Sequence, residues 1–375
     1  MKLCVFPNDP IQAYYDKGEI KERYYNPQNI FSEIHFITLI DQDIEVSKIQ
    51  VIGGKAKIVI HSVGKINIKN RNKRLEDVIT IVKEIQPDVV RAYNPFIEGW
   101  LAAKCAKELK IPFLLSLHTQ YDSNRQILKK TNFKKYLALK YTEKFIEPYV
   151  LQSADKITAI YRIIEPYVLK HCHNKPEILH NKVDCEKFVN ATTLESLQKP
   201  LIISVGALIP VKNHECVILS MKNVNANLMI IGNGLLHDKL QELIKKNNLD
   251  SKIIIKKSVP HNQIQNYYKS ADIFALAYNP EIEGIPMPVM EAMATGLAIV
   301  IPPSKENFSE KLEGSVIFAE SNPDSFARSI NELLDDKLLH KKFADRAKIK
   351  ALEFDIEKIE KREAEIYTEL VSIKN

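Results

Sequence analysis

Short apolar runs and helical repeats alternate along almost the whole chain. In the first half, Leu3 to Phe6, Ile34 to Leu39, Lys57 to Ile60, Val89 to Ala92, Phe113 to Leu117 and Lys156 to Ala159 have strand length and strand composition. Helical spacing of apolar positions falls between the later ones, over Leu75 to Ile85, Gly99 to Leu109 and Phe133 to Tyr149. The second half repeats the rhythm more cleanly. Its strands are expected at Leu201 to Val205, Asn227 to Ile231, Ile253 to Lys256, Ile273 to Ala277, Leu297 to Ile301 and Val316 to Phe318. Its helices are expected at His214 to Met221, Leu235 to Asn247, Ile264 to Ser270, Val289 to Ala294 and Asp324 to Leu334. Leu338 to Val371 reads as helix interrupted near Phe354 and Asp355. Alternation of this kind predicts an α/β fold with parallel sheets.

The polar stretch Asn190 to Pro200 is the best linker between the halves. A chain of 375 residues accommodates two domains. Two doubly wound sheets in tandem imply a cleft, with ligands outside the carboxyl ends of the strands. Chemistry is therefore sought just after each strand.

Composition changes this picture little. Hydrophobic residues make up 45% and charged residues 27%, an ordinary globular balance. The net charge of +6 is mild and its cations are scattered, with no zinc-finger or RNA-recognition signature, so no nucleic-acid partner is expected. Cys4, Cys105, Cys172, Cys185 and Cys216 form no C-x-x-C pair, which suits reduced thiols. Met1 to Asp9 lacks a leader pattern, and no apolar run approaches the ~20 residues of a membrane span. A cytoplasmic protein is expected.

The strongest chemical signal follows the run Ile273 to Ala277. It reads Glu281-Ile282-Glu283-Gly284-Ile285-Pro286-Met287-Pro288-Val289-Met290-Glu291-Ala292-Met293-Ala294-Thr295-Gly296. Proline is favoured in a first helical turn, so a helix starts here, and Gly296 ends it. Main-chain N–H groups at such a start can receive phosphate or sugar oxygens. Glu291 can accept bonds from a vicinal diol, and Glu283 from sugar hydroxyls. Each glutamate alone reads more readily as a solvated surface charge.

The whole string resembles the E-x7-E motif of the retaining family-4 glycosyltransferases, which have the GT-B fold of two facing Rossmann-like domains. The resemblance extends over nearly the whole chain. It implies domains at residues 1–188, on the acceptor side, and 189–355, which binds the donor, with a C-terminal helix 356–371 packing back on the first. Glu283 would face the donor sugar and Glu291 would hold the nucleotide ribose. Gly284, Ile285, Pro286 and Met287 would form the donor loop between them. The segment Ser204-Val205-Gly206-Ala207-Leu208-Ile209-Pro210-Val211-Lys212-Asn213 resembles the family's G-R-L…K segment. There Gly206 would let the backbone approach the ligand and Lys212 would meet a diphosphate. Gly232, in Ile230-Ile231-Gly232-Asn233-Gly234, matches the family's G-x-G turn. Val259, in Ser258-Val259-Pro260-His261, resembles the loop that reads the nucleobase. In the first half His118 resembles the family's active-site histidine, and Gly18, Tyr121 and Asp122 are candidate acceptor contacts. Leu179-His180-Asn181-Lys182-Val183-Asp184, with Phe188, resembles the family's N-G-V-D…F crossover segment.

Four departures stand out. Lys182 replaces the glycine of the crossover segment. Ala207 replaces the arginine that normally shares the diphosphate with the lysine. Tyr14 to Asn26, aromatic and charged, replaces a Gly-rich loop. Pro302-Pro303-Ser304-Lys305-Glu306 stands where a glycine pair is common.

Other signals are set aside. His171, Cys172 and His173 lack the second spaced pair of a zinc site. Asp41-Gln42-Asp43 is read as a charged loop. Lys129, Lys130, Lys134, Lys135, Lys140 and Lys144 interleave with Leu128, Phe133, Leu137, Leu139, Tyr141 and Phe145, either as a core-facing helix or as a basic docking face for a membrane.

The resemblance implies transfer of a sugar from a nucleotide diphosphate sugar to a hydroxyl of a glycan or lipid-linked acceptor, with retention, without a cofactor and without a metal. Polysaccharide or glycolipid assembly is the implied setting, at the inner face of the membrane if the basic helix docks there. A catalytically silent GT-B binding protein and a GT-B sugar-nucleotide epimerase remain as alternatives.

Overall fold

The computed structural model describes every residue except Glu19, His261, 306–309 and Asn375, with the main chain alone for Ile373 and Lys374. His261 and Glu306, which close two of the segments quoted above, and Glu19 of the N-terminal stretch therefore lie outside the described residues.

The chain divides into two units. Met1–His180 with Glu360–Asn375 forms the first, and Asn181–Ile359 the second. The first is built on strands β1 (Lys2–Phe6), β2 (Glu33–Thr38), β3 (Lys57–Ser62), β4 (Val89–Ala92), β5 (Phe113–Leu117), β6 (Lys156–Ala159) and β7 (Glu177–Ile178). They form one parallel sheet in the order β3-β2-β1-β4-β5-β6-β7. The second unit holds β8 (Leu201–Val205), β9 (Asn227–Ile231), β10 (Ile253–Lys256), β11 (Ile273–Ala275), β12 (Ala298–Ile301) and β13 (Ile317–Phe318). Its parallel sheet runs β10-β9-β8-β11-β12-β13. In each sheet the order reverses once, between β1 and β4 and between β8 and β11. Those are the points where a doubly wound sheet opens a crevice at its carboxyl edge.

The strands read as unbroken apolar runs because both faces are covered. Along β11 and its extension, Phe274, Leu276 and Tyr278 enter one core with Val289, Met290 and Met293 of the helix Met287–Thr295. Ile273, Ala275 and Ala277 enter the opposite core with Val217 and Ile218 of the helix His214–Ser220. Successive side chains of a strand point to opposite faces, so a strand between two helical layers needs apolar residues at every position. Full burial of each large aliphatic side chain is worth roughly 1.5–3 kcal/mol.

Four expectations need correction. The boundary lies between residues 180 and 181, not at 188, because Val183, Cys185 and Phe188 belong to the second unit's core. Asn190 to Pro200 is not a free linker. The Thr192 and Leu194 N–H groups donate to Asn266 Oδ1 and Ser270 Oγ, which fastens the stretch to the second unit. Phe133 to Tyr149 is two helices, Phe133–Phe145 and Glu147–Ser153. Ile146 is non-helical, and Pro148, which has no N–H to give, sits in the first turn of the second. The helix Tyr121–Thr131 was not expected. Near the C-terminus the helices Lys337–Ala351 and Ile356–Lys374 break around Phe354. The last begins in the second unit and belongs to the first from Glu360 onward.

Among the described residues no helix is long and apolar enough to cross a membrane, and no group of three or more His, Cys, Asp or Glu side chains is placed to hold a metal ion.

Candidate functional site

In the second unit the carboxyl ends of β8 and β11 flank the sheet's reversal point. After β8, the turns following β8 and β9 press together. A Cβ on Gly232 would fall 1.9 Å from the Gly206 carbonyl oxygen, so only glycine fits there. The chain then makes a short 3-10 turn, Pro210–Lys212, which folds Lys212 back along Gly206. Lys212 is 7% exposed, and its Nζ lies 2.5 Å from Glu283 Oε2. Asn279 N donates to the Val211 carbonyl at 2.9 Å and ties the loop after β11 to this turn. The same loop is held from within, since the Ile282 and Glu283 N–H groups donate to the Asn279 carbonyl and Tyr278 Oη donates to the Gly284 carbonyl. Lys212 and Glu283, 71 residues apart, thus meet by construction.

The helix Met287–Thr295 begins directly after this loop, with Pro286 as its cap residue and Pro288 in its first turn. Its residues are apolar except for Glu291 and Thr295, and six of them are buried. Glu291 is fixed by a bond from Tyr268 Oη, at 2.9 Å, from the neighbouring helix Ile264–Ser270. Burial, and then the Glu291 carboxylate, hold the Tyr268 phenol well above its ordinary range, so it stays a donor. Ile285 is fully buried in the same core, with Met287 and Val259 packed against it. His214, buried beneath Lys212's turn, lies 3.2 Å from Ser204 Oγ. Burial, and the Lys212 charge, push its imidazole down to about 4.

The first unit gathers a different set. His118 follows β5, and its ring centre lies 5.2 Å from that of Tyr93, which follows β4. Burial, and then the charge of Arg91, push the imidazole down to about 3, so it is neutral at physiological pH. Arg91 on β4 is closed off by Glu363 and Tyr367 of the last helix, at 2.5 and 2.6 Å, and by Ser116 Oγ at 3.0 Å. Its guanidinium lies 4.4 Å from the Tyr93 ring centre. Tyr24 and Tyr25 pack on Tyr93, so the aromatic N-terminal stretch forms part of this wall.

The three acceptor candidates sit in different settings. Tyr121 is 2% exposed and packs between Phe96 and Tyr167, so it builds the wall under His118 and offers no open contact. Asp122 accepts from Arg125 Nη2 at 2.7 Å, in a network that buries Glu147 with Tyr167 and Thr142. Gly18, at φ +70°, follows the short helix Ile11–Asp16 and stops it. Asp43 caps the same helix, accepting from the Ile11 and Gln12 N–H groups, which gives the Asp41-Gln42-Asp43 loop a structural role.

Family models match both halves of the chain. Residues 47–187 match Glycosyltransferase Family 4, and residues 188–350 match Glycosyl transferases group 1. The chain belongs to the family-4 glycosyltransferases. It is 26% identical over 346 residues to a glycosyltransferase of Haemophilus influenzae, covering 86% of this chain and 90% of that one. It is 31% identical over 192 residues to the N-acetylgalactosamine-N,N'-diacetylbacillosaminyl-diphospho-undecaprenol 4-alpha-N-acetylgalactosaminyltransferase of Campylobacter jejuni, covering 49% of this chain and 51% of that protein. Among solved structures, Anabaena HepE in complex with UDP superposes with a TM-score of 0.73 at 13% identity, covering 98% of this chain and all of that one, a likeness of GT-B fold.

Two features of this glycosyltransferase were not singled out in the sequence. Tyr268, which holds Glu291, reads as one more apolar-face aromatic of a short helix. Glu98 sits in the first turn of the helix Ile97–Leu109, after β4 at the first sheet's reversal point. Burial pushes its carboxyl up to about 7, against hydrogen bonds from its own main chain and the Asn94 side chain. A glutamate in a first helical turn is too common for sequence to distinguish this one.

Proposed function

We propose that this glycosyltransferase moves a glycosyl unit from a nucleotide diphosphate sugar to a hydroxyl of a glycan or lipid-linked acceptor, with retention of configuration and without a metal ion. The observation that carries the reading is the meeting of Lys212 and Glu283 at the carboxyl ends of the two strands that flank the sheet reversal. A diphosphate entering there competes with Glu283 for Lys212. Glu283 is then released toward the sugar hydroxyls. The start of the helix Met287–Thr295 adds its partial positive charge for the phosphate. Glu291, held by Tyr268, is oriented for a ribose diol.

The bond from the anomeric carbon to the phosphate oxygen breaks, and the bond to the acceptor oxygen forms on the same face. The acceptor proton passes to the departing phosphate oxygen. Lys212 stabilises the charge that grows on that oxygen. His118, in the first unit, is neutral and offers a hydrogen bond without a charge. A UDP complex of a structural neighbour makes uridine the first base to try, and the undecaprenol-linked substrate of the Campylobacter relative makes a polyprenyl diphosphate glycan the first acceptor.

The protein is also proposed to rest on an anionic membrane. In the helix Phe133–Phe145 only Thr142 is buried, and Phe133, Leu137, Tyr141 and Phe145 are exposed among Lys134, Lys135, Lys140 and Lys144. Aromatic and basic residues together suit a lipid interface. Sedimentation with phosphatidylglycerol vesicles, lost on Lys134→Glu/Lys135→Glu, tests this part.

The test of the main reading is transfer from a panel of nucleotide sugars, with product configuration read by NMR coupling constants. Retained products, made with a chelator present and lost in Glu283→Ala, are expected. An inverted product, or release of an epimerised donor without an acceptor, would sink the reading.

A further inference from the structure

The loop after β11 carries two carboxylates two residues apart, and each meets a lysine from a different neighbour. Glu283 Oε2 lies 2.5 Å from Lys212 Nζ, on the turn after β8. Glu281 Oε1 lies 2.5 Å from Lys305 Nζ, on the stretch after β12. β8 and β12 are the two strands that flank β11 in the sheet. The acidic loop is therefore clasped from both sides at the carboxyl edge. The stretch after β12 also faces the loop, since Pro302 and Ser304 share the wall of one small cavity with Tyr278 and Gly284. Lys305 is the next residue. It thus stands beside the segment that leads into the helix Met287–Thr295.

The charges of this edge do not balance for a diphosphate. A diphosphate bridging a nucleoside and a sugar carries two negative charges, and the departing nucleoside diphosphate gains a third. Lys212 supplies one positive charge and comes with Glu283 attached. Position 207, on the same turn, is alanine. We propose that Lys305 is the second cation of the donor diphosphate site, held by Glu281 until the donor arrives. The two pairs differ in a way that fits this division. Lys212 and Glu283 are 9% and 27% exposed in their side chains, whereas Lys305 and Glu281 are 66% and 53% exposed. A pair that open to water holds weakly, so Lys305 exchanges Glu281 for a phosphate at little cost. The Pro302–Lys305 stretch and Ala207, both departures from the family pattern, are then complementary. One removes a cation from the site and the other brings one.

The proposal rests on the reading of Lys212 as the diphosphate lysine, and the experiment separates the two. Titration calorimetry is run with UDP, ADP, GDP and CDP and the four matching monophosphates, on the wild type and on Lys305→Ala, Lys305→Arg, Glu281→Gln and Lys212→Ala. The diphosphate that the wild type binds best should weaken about tenfold in Lys305→Ala, one charge-assisted contact. It should return to within about twofold in Lys305→Arg, which keeps the charge. Glu281→Gln, which removes the competing carboxylate, should bind it at least as tightly as the wild type. The monophosphate should hardly respond to Lys305→Ala. Unchanged diphosphate binding in Lys305→Ala beside a loss in Lys212→Ala would overturn the proposal alone. Equal weakening of monophosphate and diphosphate would overturn it too, because that marks a disturbed loop. If Lys212→Ala also binds normally, or the wild type binds no diphosphate, the donor-site reading falls and the proposal with it.

Discussion

Two ion pairs in this glycosyltransferase have the same length and opposite characters. Arg91 and Glu363 in the first unit, and Lys212 and Glu283 in the second, each place nitrogen and oxygen 2.5 Å apart. Arg91 and Glu363 are 5% and 8% exposed in their side chains, and Tyr367 and Ser116 take further guanidinium hydrogens. That pair is complete and closed. Lys212 is equally buried, but its partner Glu283 sits at 27% on a loop that faces a sheet reversal. Each pair also lies beside a histidine kept neutral, His118 near Arg91 and His214 near Lys212. On the proposed reading, the accessibility of one partner, not the distance between the two, separates a fastening from a receptor.

The sharpest way to break the comparison is at the closed pair. Arg91→Ala leaves Glu363 buried without its cation, and stability should fall by about 3–5 kcal/mol. Urea unfolding measures it. The double change Arg91→Met/Glu363→Leu should recover most of the loss, because an apolar pair carries no desolvation penalty. If Arg91→Ala is nearly neutral, the first unit's pair is not a fastening.

At the open pair the effects should trade places. Lys212→Ala should lower kcat/KM for transfer by roughly 10²–10³-fold, or about 3–4 kcal/mol of transition-state stabilisation. Its unfolding midpoint should move little, since Glu283 can turn to water. A Lys212 variant that unfolds readily yet transfers normally would reverse the two roles.

How far the sequence reveals these pairs follows from how they are built. The strands were legible because a strand between two helical layers must be apolar at every position, as Ile273 to Ala277 is. The loop Glu283 to Met287 was legible as a motif. The closed pair was not, because Arg91 and Glu363 lie 272 residues apart and nothing local marks either as paired. The surroundings of Tyr121 and Asp122 were not legible for a related reason. Both follow a strand's carboxyl end, but the burial of Tyr121 and the Arg125 partner of Asp122 are not local information. The two-residue strand β7 is too short to leave a pattern.

A smaller effect sharpens the comparison through pH. The His214 imidazole is pushed down to about 4 from an ordinary value near 6.5. The unfolded chain therefore binds a proton that the folded chain refuses. Its contribution to stability is full above pH 6.5 and is lost as the pH falls toward 4. The shift corresponds to at most about 3 kcal/mol. Unfolding free energy plotted against pH should rise across that window in the wild type. His214→Asn, which cannot titrate, should show a slope shallower by about one proton. An unchanged slope would mean that His214 is not held neutral by the turn that carries Lys212.

The smallest expected effect concerns whether the open site is aimed or merely charged. Tyr268 is fully buried and its hydroxyl bonds Glu291, the one carboxylate of the helix Met287–Thr295. Tyr268→Phe keeps the ring that packs on Phe188 and Phe274 and removes only that bond. Stability should drop by about 1 kcal/mol, an ordinary hydrogen bond. If Glu291 grips a ribose, the loss of its support should weaken nucleoside diphosphate binding about fivefold. Binding of inorganic pyrophosphate, which has no ribose, should stay unchanged. Glu291→Gln should weaken the nucleoside diphosphate further and the pyrophosphate no more. Should Tyr268→Phe weaken both ligands alike, Tyr268 would be shaping the helix start that receives phosphate, and Glu291 would belong with the fastenings like Glu363.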